Sequence, residues 1–118
     1  MNVFNSNYKL VGFKRLHADG SEIIEQYFKG YLFYKKEGNV VSCGVQVFDD
    51  NENLVTQSFY LGNFEVIDES HVTHIPLVST ELDRVGKKLK REYKIVDGQL
   101  VIRGQGLSSL VGVTWEKI

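Results

Sequence analysis

Apolar residues in this chain recur mostly with a period of two, which commits it to strands rather than helices. The stretch Lys88–Val96 is the clearest case: Leu89, Arg91, Tyr93 and Ile95 fall on one face, and Lys88, Lys90, Glu92 and Lys94 on the other. A row of charges belongs in water, so the first set is expected to face an interior, Arg91 included. The same period predicts strands at Tyr8–Leu16, Ile23–Phe28, Tyr31–Lys36, Val40–Phe48, Leu54–Ile67 with a bend near Gly62, His71–Val78, Leu100–Arg103 and Ser109–Lys117.

Reversals separate these strands. Asp19-Gly20, Glu37-Gly38-Asn39, Asp49-Asp50-Asn51, Asp68-Glu69-Ser70 and Asp97-Gly98 all accept turn dihedrals or bond their own backbone. Short links make sequence neighbours into spatial neighbours, a meander. About eight or nine such strands can close into an antiparallel up-and-down β-barrel, which removes exposed edges. Ser79–Val85 begins with capping residues followed by helix formers, and one helical turn beside the barrel mouth is expected there.

The 118 residues suit one domain, 1–118, able to bury a core. Lys and Arg number 14 against 15 Asp and Glu, so no basic face invites nucleic acid or an anionic membrane surface. No apolar run approaches a membrane span. Cys43 is the lone cysteine, so no internal disulfide forms, and the N-terminus lacks a basic start followed by an apolar stretch. The expected location is the cytoplasm.

Phase assignments follow strand by strand. Val111, Val113 and Trp115 are expected inside, as are Val41, Cys43, Val45 and Val47, and the set Tyr60, Gly62, Phe64 and Val66. His74 shares a face with Val72 and Pro76, and His71 with Thr73 and Ile75; the pattern leaves open which face is inner.

In order, several segments resemble the bacterial lipocalin-like domain family, small intracellular barrels without the secretion signal or disulfides of extracellular lipocalins. They are Tyr8-Lys9-Leu10-Val11, Gly30-Tyr31-Leu32-Phe33-Tyr34 with Gly38 after it, Tyr60-Leu61-Gly62-Asn63-Phe64-Glu65-Val66 ahead of His71-Val72-Thr73-His74, Arg91-Glu92-Tyr93-Lys94-Ile95, and Val113-Thr114-Trp115-Glu116-Lys117. Asn7 and Tyr8 stand where that family has a Gly-x-Trp-type start, and Arg84 where a Trp often precedes the late-loop glycine, here Gly86. The resemblance implies a barrel with a pocket, and no one agreed activity.

The residues themselves admit two readings each. Arg91 can anchor a carboxylate or enolate, or be a structural arginine stacked on Tyr93 or Trp115 or paired with a Glu. His74 can be a general base or a satisfied sheet histidine. No metal site is expected, since His71 and His74 are three apart and on a strand point oppositely. Cys43 reads as a small core residue. No phosphate-binding loop, nucleophile elbow or carboxylate pair is present, and no cofactor is expected.

Three functions follow as expectations. The first is binding of a small, largely apolar molecule with a carboxylate or carbonyl: Tyr34, Tyr60, Phe64 and Trp115 supply the wall, and Arg91, Tyr93 and His74 orient the polar end. The second is an isomerase or cyclase in the same cavity, with His74 as base and Arg91 or Tyr93 stabilising oxygen charge. The third is a filled interaction domain that forms a homodimer through an apolar outer patch.

Overall fold

Local rules recur in the computed structural model, which describes residues 2–107 and 109–118. Among the described residues nine strands form: β1 Asn7–Leu16, β2 Glu22–Glu25, β3 Phe28–Lys35, β4 Val40–Phe48, β5 Leu54–Val66, β6 His71–Ser79, β7 Leu89–Val96, β8 Gln99–Gln105 and β9 Leu110–Lys117. All pairings are antiparallel and run in chain order from β3 to β9. β1 pairs with β9 along one edge and closes an eight-stranded barrel. Its other edge is shared: Asn7–Lys9 face β3, and Phe13–Leu16 face the extra strand β2.

The turns use the expected chemistry. Asp97 and Gly98 both have positive φ (51° and 78°), the pattern of a tight hairpin turn. The Asp49 and Asp68 carboxylates accept backbone N–H bonds from Asn51 and Asn53, and from Ser70. A short 3-10 turn at Leu82–Arg84 occupies the expected helical segment.

One boundary differs from the sequence reading, for a steric reason, while the expected bend near Gly62 is present. The break between the second and third strands falls at Gln26–Tyr27, and β3 runs straight through Lys29-Gly30. Gly30 is a close-approach residue there: a β-carbon would stand 2.7 Å from the Gly44 carbonyl oxygen and 3.0 Å from Leu10 Cδ2. The bend at Gly62 is a bulge, with the β5–β6 register shifting between Leu61 and Gly62. A β-carbon on Gly62 would collide with the Ile75 carbonyl, and Pro76, which has no N–H to give the ladder, sits opposite. Val66 and Ile95, expected inside, are 46% and 44% exposed, because the ends of β5 and β7 run past the core.

The core fills one end of the barrel. Tyr8, Tyr34, Val41, Phe64, Val72, Leu100 and Trp115 are buried there. A second 3-10 turn, Val3–Asn5, caps this end and was not anticipated from the sequence. Its Phe4 ring meets Tyr34 and Tyr93 edge-on at 5.1 Å each and stacks on Phe64 at 5.4 Å. Offset and edge-on aromatic contacts of this kind contribute about 0.5–1.5 kcal/mol each beyond their buried area. No helix among the described residues is long and apolar enough to cross a membrane.

Candidate site: a cavity with guanidinium groups and a buried histidine

Above the aromatic plug the barrel is hollow. A cavity of about 490 Å³ lies between the core layer and the opposite rim. That volume lies within the range of small-ligand sites, roughly 300–1,000 Å³. Its walls are mostly apolar: Leu32, Val45, Val47, Ile102, Val111, Val113 and the inner face of Trp115. Val55 and Leu107, 62% and 49% exposed, mark the mouth.

Polar side chains also line it, among them Gln57, Ser58, Tyr60 and the guanidinium groups of Arg84 and Arg91. Arg91 enters from β7 beside Gly104, whose missing side chain leaves its path clear. Its Nη1 donates to the Gln105 carbonyl at 3.1 Å. Arg84, from the 3-10 turn, donates to the same oxygen at 3.4 Å. Neither has a carboxylate partner among the described residues. Arg15 at the mouth differs, because its Nε pairs with Glu25 at 2.8 Å. Ser109 Oγ, also on the wall, is a buried side-chain oxygen without a hydrogen-bond partner among the described residues.

His74 forms part of the floor and is buried, with only 2% of its surface exposed. Alternation along β6 places it inward with Val72 and Pro76, and leaves His71 outside, hydrogen-bonded to Asp68 at 2.8 Å. Tyr34 Oη lies 2.5 Å from His74 Nε2, and Tyr60 Oη lies 2.6 Å from Nδ1. Burial, with the Arg91 charge acting in the same sense, pulls the imidazole down to about 3, so the ring is neutral. Burial pushes the Tyr34 and Tyr60 hydroxyls far above their usual value, and the Cys43 thiol up to about 11. Among the described residues no group of three or more His, Cys, Asp or Glu side chains could hold a metal ion.

Of the seven residues singled out from the sequence, Arg91, His74, Tyr60 and Trp115 meet on the cavity wall. Tyr34, Phe64 and Tyr93 do not reach it, because Phe4 draws all three into the plug. Tyr93 Oη donates instead to the Asp68 carbonyl at 3.0 Å, beside a turn. Arg84, Ser109 and Gly104 were missed. Arg84 lies outside the regular strands, where alternation gives no inward direction, and a glycine carries no polarity signal; Ser109 shares the parity of Val111, Val113 and Trp115, so alternation could have found it. Among the strand glycines, Gly12 and Gly62 stand at bulges, and Gly44 lies on the outer face between Tyr31 and Phe59.

No protein-family profile and no curated protein matches this chain.

Proposed function

We propose that this barrel binds a small, largely apolar molecule through an oxygen-bearing polar end, a carboxylate or carbonyl. One observation carries the reading: two guanidinium groups, Arg91 and Arg84, reach the cavity and share a single backbone carbonyl, with no carboxylate paired to either among the described residues. A partly enclosed cation without a counter-charge is costly unless something completes it. Guanidinium N–H groups match a carboxylate in geometry and charge. The lipocalin-like resemblance fits this use of the interior.

The alternative of an isomerase or cyclase is less favoured. Both His74 nitrogens face tyrosine hydroxyls, and the ring's low pKa makes it a poor base near neutrality. Tyr93 is in the plug, away from the cavity where oxygen charge would develop.

Trp115, the single tryptophan, is on the wall and reports occupancy by its fluorescence. Titration with sodium dodecanoate, dodecanol and dodecylamine is expected to give saturable quenching in that order of affinity. Arg91→Ala is expected to lower dodecanoate affinity roughly tenfold or more, as loss of a charge-assisted pair does. Absence of saturable binding for all three, or equal affinity of the carboxylate and the amine, overturns the reading.

A further inference from the structure

A proton count at His74 says which way its hydrogen bonds run. A neutral imidazole has one N–H and one bare nitrogen. Both nitrogens are within hydrogen-bond distance of a tyrosine hydroxyl. One contact is therefore O–H···N and the other N–H···O. The tyrosine that accepts from the ring keeps its own hydrogen and needs a third partner.

The two tyrosines differ in what they can do with that spare hydrogen. Tyr34 is 3% exposed and is packed by Phe4, Phe64 and Tyr8. Among the described residues its hydroxyl has no hydrogen-bond partner except His74. A spare O–H there points into hydrocarbon, at a cost of about 1–3 kcal/mol. Tyr60 lines the cavity, and its hydroxyl has the Cys43 sulfur, also on the cavity wall, within hydrogen-bond reach.

We infer that Tyr34 donates to Nε2, that His74 carries its proton on Nδ1 and donates to Tyr60, and that Tyr60 turns its O–H to the cavity side, where it rests on Cys43 Sγ in the empty protein and passes to a ligand oxygen, a stronger acceptor than sulfur, when one is bound. This rests on the reading that the cavity takes a ligand, and it specifies that ligand's deep end. Tyr60 there adds a donor to those of Arg91. The chain from Tyr34 through His74 to Tyr60 is aligned in one direction, so each bond polarises the next toward the cavity. Such a floor accepts a group with lone pairs, an oxyanion or a carbonyl oxygen, and offers nothing to an ammonium. Tyr34 acts through His74 and is a positioning residue.

The tautomer is read directly in the empty protein. With ¹⁵N-labelled histidine at neutral pH, a long-range proton–nitrogen correlation spectrum is expected to show His74 Nδ1 protonated and Nε2 bare. A protonated Nε2, or a cationic ring, overturns the inference whether or not any ligand binds. Independently, Tyr60→Phe is expected to weaken dodecanoate binding roughly tenfold while leaving the folded spectrum intact. Unchanged affinity in a folded Tyr60→Phe protein also overturns it. If dodecanoate fails to bind the unaltered protein while the tautomer is as expected, only the choice of ligand class falls.

Discussion

Arg91 lies across the bare face of Gly104: a β-carbon added to Gly104 would stand 2.5 Å from Arg91 Nη1 and 2.6 Å from its Cδ. The guanidinium thus holds its place because a neighbouring strand position has no side chain. Gly104→Ala is expected to push Arg91 off the Gln105 carbonyl. The clash is with a flexible chain rather than backbone, so unfolding free energy should move by no more than about 1 kcal/mol. Dodecanoate affinity should fall roughly tenfold. Calorimetric titration and urea denaturation on the same variant separate the two effects.

His74 makes stability depend on pH in a definite direction. In the fold the ring titrates near 3, against 6.5 for an ordinary histidine. The unfolded chain therefore binds the proton first. The contribution from holding the ring neutral is complete above pH 6.5 and is lost as pH falls from there toward 3. Over the full interval this corresponds to roughly 5 kcal/mol. Asp19, Asp49 and Asp68 are held below their usual 3.8 by hydrogen bonds, so their contributions are lost only at more acid pH. Urea midpoints are expected to drop steadily between neutrality and about pH 4.5. His74→Gln should be less stable at neutral pH and show a flatter profile.

Phe4 is expected to hold the plug together. Its ring touches Tyr34, Phe64 and Tyr93, which come from three different strands. Phe4→Ala should cost roughly 3 kcal/mol, the low end for a buried phenylalanine, since the ring is only partly buried. The loss is measured by urea unfolding, and near-ultraviolet circular dichroism of the tyrosines should weaken in parallel.

Cys43 faces the cavity, yet burial pushes its thiol up to about 11. Alkylation by iodoacetamide at neutral pH is expected to be on the order of 100-fold slower than for a free thiol, because little thiolate forms. Mass spectrometry of the time course checks this. Denaturation in urea should restore the ordinary rate, and a bound ligand should slow it further.

Much of this barrel was legible in the residues because alternation and turn chemistry are local. The charged row Lys88, Lys90, Glu92 and Lys94 fixed the phase of β7, and that phase put Arg91 on the wall. Asp97-Gly98 fixed a hairpin in the same way. What was not legible depends on height along the barrel, which period two does not encode. Tyr60 and Phe64 share a face of one strand, yet one looks into the cavity and the other lies under Phe4. The choice between His71 and His74 was undecidable from their own strand. Two tyrosines from β3 and β5 settle it by giving His74 partners inside.

The stopper formed by Phe4 has a bearing on traffic. With one end blocked, a guest arrives and departs by the same door, near Val55 and Leu107. On the proposed reading, its oxygen-bearing head has to go in first, and any tail longer than the chamber trails outside. Selectivity then belongs to the head group, and the length of the tail is left largely unpoliced.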